Sequence, residues 1–169
     1  LDSLARWHTG ARLHNDGQVH LYDGAVLRQH GPENGNSGEG RYHVHRNTGP
    51  LATHLRYQYW SSPVDSATMG QVFSGANPAD FYRYEAAWQP QPAGQIMQAG
   101  RGYATTPTQD AQARDFSETR IFEGQVNNGD LRLAAALRNG EWLLAGNPYP
   151  SPIANAAFIT ANPKLLGSV

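Results

Sequence analysis

Asn15-Asp16-Gly17-Gln18-Val19-His20-Leu21-Tyr22-Asp23-Gly24 reads as one short β-strand closed at both ends by turns. Val19 and Leu21 fall on one face, which is the period-two alternation of a half-buried strand. Asn15-Asp16-Gly17 and Asp23-Gly24 supply residues that tolerate a positive φ. Further along, residues 25–29 form another short strand, and the polar, glycine-rich residues 31–40 form a loop. Arg41-Tyr42-His43-Val44-His45-Arg46 then alternates again, with Tyr42 and Val44 on one face and His43 and His45 on the other. Asn/Asp-Gly turns beside short strands predict that residues 1–50 stack like the rungs of a solenoid.

The rest of the chain keeps the same rhythm. Leu55-Arg56-Tyr57-Gln58-Tyr59-Trp60 is a strand ended by Pro63, which cannot donate to a ladder. Phe81-Tyr82-Arg83-Tyr84, Gly102-Tyr103-Ala104-Thr105-Thr106 and Thr119-Arg120-Ile121-Phe122-Glu123-Gly124 are further strands, and residues 89–92 read as a loop. Asn127-Asn128-Gly129-Asp130 and Asn139-Gly140 carry hairpin chemistry, the first leading into Leu131-Arg132-Leu133 and the second into Trp142-Leu143-Leu144. Residues 154–162 are the one helix expected, about two turns long. The prediction is an all-β chain: an antiparallel β-sandwich over residues 51–169, continuous with the solenoid-like strands of residues 1–50, and one short C-terminal helix.

Composition removes several classes of function. The 169 residues include no cysteine, which excludes disulfides, thiolate metal sites and cysteine nucleophiles. The net charge is -1 with 16% charged residues, so no basic patch neutralises phosphates and nucleic acid is not an expected partner. No apolar run approaches the ~20 residues that span a bilayer. The chain starts at Leu1 without the basic and apolar stretches of a signal peptide, and reads as a processed chain or a fragment.

The candidate chemistry is sparse. His43 and His45 share a strand face at a spacing that suits zinc or copper, and His8, His14, His20, His30 and His54 are further imidazoles. No acid stands at a diagnostic spacing, so they are read as solvent-facing histidines. Asp110, Asp115, Glu118 and Glu123 are the carboxylates from which a glycosidase pair would be drawn. Ser61-Ser62 precedes a proline and lacks a nucleophile elbow. The loop over residues 31–40 lacks the ending of a phosphate loop. Asn15-Asp16-Gly17 and Asn127-Asn128-Gly129-Asp130 offer oxygens of the kind used in weak calcium sites, yet tight turns require the same residues. Tyr57, Tyr59, Trp60, Tyr82, Tyr84, Trp88 and Tyr103 form either a core or, if exposed, a surface on which sugar rings stack; the core is the preferred reading. No catalytic, cofactor or metal residue is assigned.

Four phrases carry a resemblance: Tyr59-Trp60-Ser61-Ser62-Pro63-Val64; Gly100-Arg101-Gly102-Tyr103-Ala104; Phe122-Glu123-Gly124 with Val126-Asn127-Asn128-Gly129-Asp130; and the run from Trp142 through Gly146-Asn147-Pro148-Tyr149-Pro150-Ser151-Pro152-Ile153. In this order they resemble a β-rich module of large surface and secreted proteins of Bacteroidota that carry a type IX secretion sorting domain. The resemblance spans about residues 55–162. It implies an extracellular, cell-surface location and a structural or adhesive role, with no agreed catalytic residues to carry over. Pro148 and Pro150 fix φ and Asn147 caps a turn, so the last phrase is expected to be a rigid corner leaving the Trp142 strand, and Trp142→Ala is expected to cost about 3 to 5 kcal/mol if that ring is buried. Family members run on past the point where this chain ends. Residues 1–13 and 163–169 are therefore the expected free segments for strand addition to neighbouring domains or copies of itself, as in a self-assembling fibre. The expected function is a non-catalytic extracellular structural or adhesive module; the alternatives are a carbohydrate-binding module, with glycans as partners, and a secreted hydrolase fragment.

Overall fold

The computed structural model describes residues 1–2, 4–10, 12–49, 56–108 and 117–162. Leu55, His54, Asp110, Asp115 and residues 163–169, all named above, lie outside them. The fold is all-β. Among the described residues nine strands form three sheets: β1 (Arg6–Thr9), β2 (Gln18–Leu21), β3 (Val26–Gln29), β4 (Arg41–Asn47), β5 (Gln58–Trp60), β6 (Tyr82–Glu85), β7 (Ala87–Pro90), β8 (Tyr103–Thr105) and β9 (Thr119–Gly124). The expected helix is α2 (Asn155–Ala161). A single-turn helix, α1 (Met69–Val72), and a 3-10 turn, Pro78–Asp80, were not expected.

The N-terminal strands run in parallel. β1 pairs with β3 from Arg6 opposite Val26, and β2 pairs with β4 from Gln18 opposite Arg41. Between these pairs His14 and Ser37 form a parallel bridge. The second pass of chain thus lies beside the first in the same direction. Glycine makes the close stacking feasible: a Cβ on Gly38, whose φ is +99°, would stand 2.1 Å from the Asn15 carbonyl oxygen. β9 closes the other edge of β4 in antiparallel register, with Phe122 opposite Val44. The four-stranded sheet is wholly antiparallel, in the order β5-β8-β6-β7.

The two larger sheets pack like a sandwich. Alternation along β4 and β9 sends Tyr42, Val44, Arg120 and Phe122 inward. From the other sheet come Tyr103, fully buried, and Trp60, whose ring centroid lies 6.2 Å from that of Phe122. Phe73, just after α1, meets Phe122 edge-on at 6.3 Å, and Phe81 meets Phe73 at 6.2 Å. One hydrophobic cluster joins Leu13, and Leu21 and Leu27 of the parallel strands, to Val64, Phe81 and Tyr103. α1 starts with a full capping box between Thr68 and Gln71.

The proline corner is present and is tied down on several sides. Asn147 Oδ1 accepts from Tyr149 N at 3.0 Å and its Nδ2 donates to Ser151 O at 2.7 Å. Tyr149 donates its hydroxyl to Gly129 O at 2.6 Å, Ser151 Oγ donates to Leu27 O, and Arg46 Nη2 donates to Pro150 O. The expected hairpin at residues 127–130 is a junction instead. Asn127, nearly buried, donates through Nδ2 to Ser62 O at 3.2 Å and Pro148 O at 2.9 Å, and Gly129 packs on the backbone of Pro32 and Glu33. The oxygens of the Asn15-Asp16-Gly17 turn are used within the turn and its neighbours: Asn15 Oδ1 accepts from Gly17 N at 3.0 Å and Asp16 Oδ1 from Glu39 N at 3.2 Å.

The burial on which the large Trp142 effect depends is not met: the ring is 46% exposed. Its segment is held through backbone: the Trp142 carbonyl accepts from Ala86 N at 2.7 Å, and Leu144 N donates to Tyr84 O at 2.9 Å. The Trp142→Ala variant is therefore expected to lose less than about 1 kcal/mol in urea unfolding, the range of ordinary surface changes. A loss of about 3 kcal/mol or more, typical of a buried aromatic, would show that the ring is packed after all.

Candidate functional site

The antiparallel sheet has an inverted amphipathic sense, and this creates the site. On β6, Tyr82 and Tyr84 project to one side, and the charged Arg83 and Glu85 to the other. Register carries the tyrosine side across the sheet: Tyr84 stands opposite Trp88, Tyr82 opposite Ala104, and Ala104 opposite Tyr59. Tyr57 shares the side of Tyr59. This outer face is aromatic and exposed: Tyr59 is 64% exposed, Trp88 49% and Tyr57 41%. Of the seven aromatics noted in the sequence, only Trp60 and Tyr103 turn into the core; the core reading fails for the others.

The rings are arranged as a cluster. Tyr59 and Trp88 are nearly parallel, at 15° with centroids 6.4 Å apart. Tyr82 stands at 80° to Trp88 and Tyr84 at 71° to it, 6.4 and 5.2 Å away. Tyr57 lies 6.1 Å from Tyr82 at 64°. Together with Ala104, whose small side chain leaves room beneath them, Tyr57, Tyr59, Tyr82 and Trp88 line a hollow of about 490 Å³, within the ~300–1,000 Å³ of small-ligand sites. Other surface hollows among the described residues are of similar volume, about 430 to 550 Å³, so the lining distinguishes this one. Sequence reasoning missed one part of its rim. Tyr57 donates its hydroxyl to Asp80 Oδ1 at 3.4 Å, and Thr106 Oγ1 donates to Asp80 Oδ2 at 2.9 Å. The signal for it was Asn77-Pro78, which starts the 3-10 turn that carries Asp80.

The charged side chains of these strands neutralise one another on the opposite side. Arg101 Nη1 reaches Glu85 Oε2 at 2.7 Å, and Arg83 donates to Gln89 Oε1 through Nε at 3.0 Å and Nη2 at 2.8 Å.

The histidines gather on the outer side of β2 and β4. His20 stacks on His43 with centroids 4.5 Å apart and 8° between planes, and His20 Nδ1 and His45 Nε2 share a hydrogen bond at 3.1 Å. Tyr22 lies over His45 at 4.6 Å, and Glu123 and Ile121 of β9 face His43 and His45. Among the described residues no group of three or more His, Asp or Glu is set to hold a metal ion. His8 and His30 pair elsewhere, with centroids 6.4 Å apart, and His14 pairs with Asp16 at 2.8 Å.

Burial, then the charges of His20, His43 and Arg46, hold the His45 pKa below its ordinary value. Unfolded, that imidazole titrates near 6.5, so below about pH 6.5 the unfolded chain binds its proton more readily than the folded one. The stabilising effect of neutral His45 is complete above that pH and is lost as the pH falls toward the folded pKa. The urea midpoint is expected to drop between about pH 7 and pH 5.5, and to drop less in His45→Gln. Equal drops in both proteins would remove His45 as the cause.

Among the described residues the carboxylate and serine candidates do not converge. Glu118 pairs with Arg120 and accepts from Thr108 N at 2.8 Å, whereas Glu123 points outward, 3.4 Å from Arg41. Ser62 Oγ is spent on its own turn, donating to Val64 O at 2.7 Å. Among the described residues no helix is long and apolar enough to cross a membrane.

In comparison with known proteins, a family model described as "Domain of unknown function (DUF8693)" matches residues 8–169. No curated protein and no solved structure matches the chain.

Proposed function

Because the chain belongs to this family of domains of unknown function, we propose its role from its own surface: it is a non-catalytic, extracellular adhesive module of a bacterial cell-surface protein, and it adheres by stacking sugar rings on the aromatic face of β5-β8-β6-β7. The observation that carries this reading is the exposure of Tyr57, Tyr59 and Trp88 together with Tyr82 and Tyr84 on one side of one sheet. An aromatic ring offers a sugar a flat apolar surface, and a tyrosine hydroxyl adds a hydrogen-bonding edge. A solvent-facing cluster of this kind costs solubility and marks an interaction site. The likeness of the Tyr59–Val64 and Gly146–Ile153 phrases to modules of Bacteroidota surface proteins supports the location outside the cell and export by the type IX route. A glycan array probed with the purified chain tests the reading: binding to glycans that is lost on Trp88→Ala supports it, and binding that survives that change contradicts it.

A second reading, a structural subunit of a fibre, rests on a different observation. The stacked parallel passes leave β1 at the edge of one sheet and β2 at the edge of another, which supports the solenoid-like reading and offers backbone for strand addition. The N-terminal segment expected to be free for such addition is instead held by its own chain: Tyr22 N donates to the Leu1 carbonyl at 3.1 Å, Arg6–Thr9 pairs with β3 and Leu13 is buried, so the edges and not this segment carry the reading. Light scattering against concentration tests it, with growth beyond a monomer as the supporting result.

A further inference from the structure

We propose that the aromatic face takes a neutral, soluble glycan as a single chain, and rejects acidic polysaccharides and flat crystalline surfaces. This rests on the carbohydrate reading above and narrows it to a ligand class.

Charge layout is the first ground. No charged residue lines the hollow. Arg83 of β6 and Arg101, just before β8, project to the other side and are engaged there by Gln89 and Glu85, and the exposed Arg56 beside Tyr57 does not line the hollow. The charge at the rim is the Asp80 carboxylate, reached through the Tyr57 hydroxyl. Asp80 has no salt bridge among the described residues. A uronate or sulfate placed on this face would lose water, gain no cation and meet a like charge. A neutral sugar meets none of these costs.

Hydrogen-bonding capacity is the second ground. An ionised carboxylate accepts at about four lone-pair positions, and the tyrosine and threonine hydroxyls at Asp80 occupy two. The rim therefore suits a ligand rich in donors. Sugar hydroxyls are such donors. A proline-rich peptide, the other common ligand of aromatic grooves, has few N–H groups to give.

Ring orientation is the third. A flat crystalline face would need coplanar rings. Here Tyr59 and Trp88 are nearly parallel, at 15°, but Tyr57 with Tyr82, Tyr82 with Trp88, and Tyr84 with Trp88 are inclined at 64°, 80° and 71°. The inclined Tyr57, Tyr82 and Tyr84 break up the flat platform that a sheet of chains needs.

The test is calorimetric titration of the intact protein with soluble β-glucan, mannan and xylan, with polygalacturonate and alginate, and with a proline-rich decapeptide. Sedimentation with crystalline cellulose and chitin completes the set. The expected result is binding to at least one neutral soluble polysaccharide, with an affinity that changes less than about twofold between roughly 50 and 500 mM salt, since no ion pair is screened. Tyr57→Phe keeps the ring and removes the hydroxyl at the rim; together with Asp80→Asn it is expected to weaken that binding several-fold while the unfolding midpoint holds. Preference for an acidic polysaccharide, tighter binding of the peptide, or retention on the crystalline solids would overturn the neutral single-chain proposal and, for the polysaccharides, leave the carbohydrate reading standing. Silence toward every glycan would overturn both.

Discussion

Phe122→Ala is expected to cost the fold about 3 to 5 kcal/mol, the range for deleting a buried phenylalanine that leaves a cavity behind. Phe122 is fully buried on β9 and stands where three parts of the chain meet. Its ring contacts Trp60 from the antiparallel sheet and Phe73 from the α1 turn, and its backbone pairs with Val44 of the parallel strands. Arg120, also buried on β9, lies over the Phe73 ring at 5.5 Å and pairs with Glu118, so the cavity cannot collapse without disturbing a buried ion pair. Chemical unfolding monitored by tryptophan fluorescence checks the expectation. A loss below about 1 kcal/mol would mean that the sheets do not pack through this residue.

The second large effect is on binding. The double change Tyr59→Ala with Trp88→Ala removes the two nearly parallel rings of the aromatic face. An aromatic anchor at the centre of an interface is worth about 2 kcal/mol or more on truncation, roughly 30-fold in affinity. Losing both is expected to take a glycan interaction of ordinary strength below detection. Both residues are about half exposed or more and sit on the outer strands β5 and β7, so the unfolding midpoint should scarcely move. Unchanged stability with retained glycan binding would clear the face of this role.

The contrast between these two sites shows what the residues disclosed. Tyr42 and Val44 inward with His43 and His45 outward was legible, because a strand with one wet face must alternate and β4 does. β6 misleads the same rule: Arg83 and Glu85 turn to the inner side of the sheet because Gln89 and Arg101 are there to receive them, which sends Tyr82 and Tyr84 outward. Period alone states that two faces differ, and partners distant in sequence decide which one is wet. The Asn-Gly at residues 128–129 failed as a hairpin for a related reason. The positive φ of Gly129 serves a close approach to Pro32 and Glu33, a contact between distant parts of the chain. α1 had its capping box in plain view at Thr68 and Gln71, but four residues are too few for any helical period to register. β1 gave no signal, since Arg6-Trp7-His8-Thr9 does not alternate and its pairing with β3 is what makes it a strand. The corner at residues 147–151 was the most legible feature, because proline and asparagine restrict the backbone locally.

The most direct measurement is heteronuclear NMR of the labelled protein during titration with a neutral soluble polysaccharide. The expected shifts saturate and concentrate on the Trp88 indole N–H and on the backbone amides of Tyr57, Tyr59, Tyr82, Tyr84 and Ala104, with the indoles of Trp60 and Trp142 left in place. Saturating shifts that gather instead on the histidine face of β2 and β4, or around Trp142, would contradict the role proposed for the aromatic face.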